Sequence, residues 1–337
     1  MKHLRLAILL LITLISIFFA FSGVDMHTTM DALQEANLWY FVGVFAGYLL
    51  THSIRTVRLW LLIGWQSNFA SMFTINTIGF LAINVLPLRM GEFVRPYLMI
   101  EKENIPLSKA MVAIVLERWL DMCMLLLMLL GLGLFVELPE QAITVGGINI
   151  VEAGQRLLTI MITIGFIGLG AMTMLGTEWI ASIGTRYPLL ERPITLILST
   201  KEHIVLFFRS PLLAVQAFLL SASVWAGTML AIWFALLAFP SLPHSLGVVW
   251  SVWTITLVGM VVAPTPGFIG VYELFCAIAL ALWGVEKSIG TSFALALHFS
   301  QLGFTLVIGS IFLAKEGLHL GQLWRASQQQ HKTNSSD

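Results

Sequence analysis

Six long apolar runs, each close to the length that crosses a bilayer, constrain this chain more than any other feature. They lie at roughly 6–24, 38–54, 109–136, 157–176, 211–239 and 290–314. A hydrocarbon core needs about 20 apolar residues per helix. Composition agrees: 58% of residues are hydrophobic and 11% charged, with 18 basic against 18 acidic side chains. Such a chain cannot surround an ordinary core with a charged shell. A soluble enzyme, a disordered protein and a nucleic-acid binder with a strong basic field are therefore excluded. The fold class expected is an all-α polytopic integral membrane protein, with about six full spans. One transmembrane domain takes residues 1–315, and 316–337 form a short polar tail. The first run follows Lys2 and Arg5, as a signal peptide would, but outruns the usual signal core, and Ala20-Phe21-Ser22 is a weak cleavage site. It is read as a span.

Two further apolar stretches are broken. One, 68–99, is interrupted by Pro87 and carries Arg89, Glu92 and Arg95; the other, 247–284, is interrupted by Pro264-Thr265-Pro266-Gly267. Proline removes a backbone donor and clashes with the preceding turn. Non-helical backbone at membrane depth survives only where protein or a wet cavity covers it. Basic residues set the sidedness, because cytoplasmic loops carry the Lys/Arg excess. The acidic segments 25–37 and 137–155 contain no Lys or Arg and go outside. The segments 55–58 and 177–210 and the tail are basic and go inside. Fifteen of the 18 basic residues then fall inside, Arg156 and Lys287 outside, and Arg118 within a span. On this assignment 68–99 enters and leaves inside, and 247–284 enters and leaves outside. The result is two re-entrant broken hairpins related as an inverted repeat, the device by which transporters place a site near the midplane. Pro87-Leu-Arg-Met-Gly91-Glu92 and Pro266-Gly267-Phe-Ile-Gly270-Val-Tyr-Glu273 share a proline break, a glycine and then a glutamate.

Three groups of charge sit where charge is expensive. Glu117, Arg118 and Asp121 share the run 109–136. On an insertion scale each costs about 2.5–3.5 kcal/mol at a helix centre, so the three together cost roughly 8–10 kcal/mol against lipid. Pairing at i,i+3 (Arg118, Asp121) lowers this. The group either locks its span to a hairpin or forms a substrate or proton site. Glu92 and Arg95 are i,i+3 neighbours expected to pair, leaving Arg89 free at the break. A guanidinium is a planar fork suited to phosphate, and a helix N-terminus there also attracts anions. The plain alternative is ordinary cytoplasmic loop charge. Glu273 either meets Arg89 or Arg118 across the repeat axis or acts as a capping, internally hydrogen-bonded residue. His298 reads as a satisfied interior histidine. Gly43-x-x-x-Gly47 permits close helix packing. Residues 183–209 read as a cytoplasmic loop with an interfacial amphipathic helix. Cys123 and Cys276 lie in apolar runs as buried thiols. No Walker A loop, HExxH or CxxC occurs, so no cofactor and no metal is expected.

Three motifs in order carry a resemblance: Asn84-Val-Leu-Pro87-Leu-Arg89-Met-Gly91-Glu92-Phe-Val-Arg95, then Glu117-Arg118-Trp-Leu-Asp121, then Pro264-Thr-Pro266-Gly267-Phe-Ile-Gly270-Val-Tyr-Glu273. Together, over about residues 1–320, the chain resembles the flippase-like family of the lysylphosphatidylglycerol synthase transmembrane region. That resemblance implies a lipid-transport-type fold with two re-entrant hairpins, in a bacterial or archaeal cytoplasmic membrane; the distribution of basic residues puts both termini on the cytoplasmic side. In bifunctional relatives this region moves aminoacylated phospholipid between leaflets, while a separate soluble domain makes the lipid. Here 23 residues follow Ala314, so no synthase domain and no aminoacyl transfer are expected. Stand-alone members are linked to glycolipids, polyprenyl-linked glycans or hopanoids. Phe268 departs from the pattern, since many relatives carry a second glycine there.

The leading expectation is a flippase for an anionic or polyprenyl-linked lipid. Arg89 and Arg95 would meet a phosphate headgroup. Glu117, Asp121 and Glu273 would balance charge or carry a proton, with Asn84, Glu92 and Arg118 beside them. Pro87, Gly91, Pro264, Pro266, Gly267 and Gly270 would shape the hairpins. The first rival is a non-transporting accessory protein that binds lipid or holds a lipid- or glycan-synthesising enzyme. The second, placed last, is an enzyme acting on a lipid phosphate, for which no nucleophile or metal motif is evident.

Overall fold

In a computed structural model, the described residues are 2–86, 91–135, 191–263 and 265–319, with isolated positions between 144 and 167 and residue 321. The span expected over 157–176, the acidic segment 137–155 and the polar tail fall almost wholly outside them. Eleven α-helices are described: α1 (Lys2–Phe21), α2 (Met26–Glu35), α3 (Tyr40–Leu62), α4 (Phe69–Val85), α5 (Val94–Glu103), α6 (Leu107–Phe135), α7 (Glu191–Arg209), α8 (Pro211–Ala238), α9 (Leu246–Val262), α10 (Val271–Ala281) and α11 (Lys287–Lys315). A two-residue ladder pairs Thr144–Val145 with Ile148–Asn149.

Transmembrane helices are present, fewer in plain form than the six runs suggested. By length and composition α8 and α11 can cross a membrane, and α1 with α2 forms a third crossing if that bent pair counts as one span. Helices α3 and α6 have 23 and 29 residues. They are long enough, at about 1.5 Å per residue, but each carries a block of charge. The run expected to stop at residue 54 continues as helix to Leu62, with Arg55 and Arg58 inside it rather than in a loop. The reason is electrostatic: Arg58, 1% exposed, is neutralised by carboxylates of α6. The acidic segment 25–37, expected as a loop, holds α2, bent 79° from α1. Asp25 caps it by accepting the His27 amide at 2.8 Å, as short side-chain oxygens do at helix starts. Thr29 and Ala32 are the buried face of α2, which lies against α11.

Both broken stretches are helical hairpins. In the first, Ser71 bonds Glu103, Gly79 faces Arg95, and Ala82 and Ile83 face Gly91, so α4 and α5 run antiparallel. In the second, Gly247 faces Trp283 and Gly259 faces Phe275, so α9 and α10 do the same. The feet of the first hairpin share an end of the bundle with the finish of α11, through Lys102 and Glu316. The opposite end gathers the finish of α1 (Lys287 Nζ to the Phe19 carbonyl, 2.9 Å) and the finish of α8 (Asn37 amide to the Ala238 carbonyl, 2.8 Å). The feet of the second hairpin lie there, joined to α8 and α11 by short connections. The two hairpins therefore open to opposite ends, and the tip turn of the second (Pro266–Phe268) touches α4 of the first.

Helices α3 and α8 form the most intimate pair. A Cβ at Gly47 would stand 2.9 Å from Ala231 Cβ, so the small residues let the two backbones close up as the Gly43-x-x-x-Gly47 spacing suggested. The largest cluster of buried apolar side chains joins α3, α6, α8, α9, α10 and α11. A second joins α3 to α4, α5 and the start of α6. Helix α7 packs Ile204 and Phe207 against α6 and α8, in the place expected for an amphipathic helix.

Candidate functional site

The interior charge gathers at one place, where α3, the first hairpin and α6 meet. On α6, Glu117 and Asp121 are one turn apart and face the same way. Glu117 is 1% exposed; its Oε2 lies 2.7 Å from Arg95 Nη2 and its Oε1 3.4 Å from Arg58 Nε. Asp121 accepts from Arg58 Nη1 at 2.7 Å and lies 3.4 Å from Arg118 Nη2. Arg58 Nη1 also donates to Ser221 Oγ of α8 at 2.9 Å. Glu92, two residues before α5, stands 3.8 Å from Arg118 Nη1. Arg55 completes the group: its guanidinium carbon is 5.1 Å from the centre of the Phe80 ring, and that of Arg95 is 5.5 Å from the same ring.

Isolated buried ions are unaffordable at membrane depth, so they persist as a network. This network is also mechanical. Arg95–Glu117 and Glu92–Arg118 tie the hairpin to α6 by two pairs of reversed sign. Its inner face is dry, with Arg58, Arg95 and Glu117 all buried, while Arg118 and Asp121 are partly wetted. Two glycines make room for it. A Cβ on Gly91 would come within 2.1 Å of the Ile83 backbone nitrogen, and one on Gly79 within 2.1 Å of Arg95 Cγ. The first lets the hairpin close, and the second gives the arginine stem its channel. Beside the network, His52 Nε2 bonds Thr77 Oγ1 at 2.7 Å and Asn76 Nδ2 donates to Thr56 Oγ1 at 3.1 Å, linking α3 to α4.

Several expected residues lie elsewhere. Pro87, Arg89 and Pro264 are outside the described residues. Glu92 and Arg95 do not pair with each other, because α6 offers each a partner of opposite charge. Asn84 bonds the Phe80 carbonyl of its own helix at 2.9 Å and stays out of the network. Glu273 meets neither Arg118 nor any other arginine among the described residues. Its Oε2 accepts the Gly270 amide at 2.7 Å and its Oε1 lies 2.6 Å from His298 Nδ1. It is thus a capping residue at the tip of the second hairpin, held by α11. Tyr272 stacks on the His298 ring at 4.3 Å. The tip is shaped as its residues suggested: Pro266 opens a 3₁₀ turn, and Gly267 and Gly270 take φ of +58° and +84°. Phe268 also takes φ +58°, a conformation that glycine adopts far more readily.

Arg55 and Arg58 were not singled out from the sequence as site residues, since two arginines after an apolar run look like the start of an inside loop. A signal was present. After Arg58 the sequence resumes as Leu59-Trp-Leu-Leu-Ile63, an apolar run that a loop does not need.

The family model described as lysylphosphatidylglycerol synthase TM region matches residues 4–309. No curated protein and no solved structure matches the chain.

Proposed function

The chain belongs to the lysylphosphatidylglycerol synthase TM region family, a membrane family concerned with lipid handling, and from that membership we propose that it moves an anionic or polyprenyl-linked lipid between leaflets. Six spans with two hairpins related as an inverted repeat, both termini cytoplasmic, in a bacterial or archaeal inner membrane, are the arrangement this reading assumes. One observation carries it. A dense charge network binds the broken first hairpin to α6 within an apolar bundle, and interior charge of this kind marks substrate pathways in membrane proteins. The hairpins opening to opposite ends add support, since alternating access works by rocking such elements about a common site. Under this reading Arg95 attracts the headgroup, and Glu117 and Asp121 hold the arginines in place between cycles.

The accessory-protein reading draws on a different fact: every carboxylate of the network already faces an arginine, as a purely structural lock requires. Reconstitution separates the two. Protein is placed in vesicles carrying a phosphatidylglycerol or a polyprenyl phosphate with a fluorescent label, and the label exposed to an external quencher is followed over time. Transport predicts faster exposure than in protein-free vesicles for at least one probe, and loss of that gain with Arg95→Ala. Exposure no faster than in protein-free vesicles for both probes would leave the accessory role standing and the transporter refuted.

A further inference from the structure

We infer that Arg55, Phe80 and Arg95 form a binding site for a singly charged phosphate group, supplied by a lipid phosphodiester or by free phosphate. The inference deepens the transporter reading, on which it rests for its lipid, by naming the headgroup chemistry and adding Arg55 and Phe80.

Among the described residues the network contains four arginines (55, 58, 95 and 118) and three carboxylates (Glu92, Glu117, Asp121), leaving one formal positive charge in excess. The excess has a location. Glu117 is engaged by Arg58 and Arg95, Asp121 by Arg58 and Arg118, and Glu92 faces Arg118. Among the described residues no carboxylate stands within ion-pair distance of Arg55, whose guanidinium has the Phe80 ring as its neighbour.

Arg95 is 0% exposed, yet only its Nη2 approaches a carboxylate, and Nε and Nη1 have no hydrogen-bond partner among the described residues. A guanidinium presents five donors, and a buried donor left without an acceptor costs stability. The stem is held in this position by the cleft over Gly79. Such an arrangement is built to receive an acceptor.

Both guanidinium groups stand at one aromatic ring, 5.1 and 5.5 Å from its centre. An anion with two equivalent oxygens matches two planar forks better than a carboxylate already committed elsewhere. The half-buried Arg55 supplies the wetter approach and the buried Arg95 the dry end.

The test is binding, read apart from transport. Purified protein in a neutral detergent is offered phosphatidylglycerol, phosphatidylcholine or inorganic phosphate, and bound lipid is counted by native mass spectrometry, phosphate by equilibrium dialysis. The expected result is preference for phosphatidylglycerol over phosphatidylcholine, cut about tenfold by Arg55→Ala, partly restored by Arg55→Lys and reduced by Phe80→Leu. Arg209→Ala, which removes an exposed charge on α7, should bind as wild type. Binding of inorganic phosphate alone, lost with Arg55→Ala, would support the site and assign free phosphate as its ligand, against the lipid reading. Equal retention of the two lipids, or Arg55→Ala indistinguishable from Arg209→Ala, would overturn the inference. Arg55 makes no ion pair among the described residues, so an unchanged unfolding midpoint for Arg55→Ala keeps misfolding out of the comparison.

Discussion

Replacing Glu117 by Gln preserves shape and removes one charge from the driest part of the network. Both of its arginine partners are buried, Arg95 at 2.7 Å and Arg58 at 3.4 Å. With charge centres about 4 Å apart and an effective dielectric near 20, the attraction to Arg95 is about 4 kcal/mol. Breaking a buried pair by removing one partner costs about 3–5 kcal/mol, because the other charge is left uncompensated. Packing losses are small for an isosteric change, so electrostatics decides the outcome. We expect about 3 kcal/mol for Glu117→Gln and about 5 kcal/mol for Glu117→Ala, or roughly two to four powers of ten in the folded-to-unfolded ratio. The assay is denaturant titration of detergent-solubilised protein, followed by tryptophan fluorescence. Glu101→Gln, at an exposed position on α5, is the control. Pairing Glu117→Gln with Arg95→Met should recover part of the loss, since the stranded charge disappears with its partner. A Glu117→Gln protein as stable as the Glu101→Gln control would refute the buried network.

Gly91→Ala should be among the most damaging single substitutions, costing about 3 kcal/mol or more, because its Cβ would strike the Ile83 backbone rather than a flexible side chain; expression and thermal stability in detergent report it. Glu273→Ala should cost about 1–3 kcal/mol more than Glu273→Gln, since glutamine can still accept the Gly270 amide; equal losses would contradict the capping role. Asp25 has its carboxyl held below the usual range by the His27 amide. Its stabilisation of α2 is therefore complete above the ordinary aspartate range and is lost as pH falls through the lowered value. Asp25→Asn caps without charge, so hydrogen exchange at the start of α2 should lose its acid-side pH dependence.

The parts of this fold that were readable in advance are those with a local cause. Proline and glycine in the middle of apolar runs foretold both hairpins, because a helix cannot pass them unbroken. Glu117, Arg118 and Asp121 stood out because charge in a span must be compensated. What escaped depends on partners distant in the chain. Arg58 belongs to the interior only because Asp121 and Glu117, about sixty residues later, neutralise it. For Glu273 the sequence left an arginine partner and a capping role both open; the structure shows the cap, with His298, 25 residues on, at the other oxygen. Helix α2 was hidden because its few apolar contacts, made with α11, are too sparse to mark an acidic segment as helical. The opposite openings of the two hairpins agree with the order that loop charge gave their ends.

Transport as proposed requires above all that the two hairpins enter from opposite faces. Single cysteines at the feet of each, Ser67→Cys and Glu103→Cys for the first and Ser245→Cys and Gly284→Cys for the second, can be placed in a background lacking Cys123 and Cys276. Labelling with a membrane-impermeant thiol reagent from each side of sealed vesicles then reads their location. The structure predicts that the first pair reacts from one side only and the second pair from the other side only. Reaction of all four from the same side would contradict it.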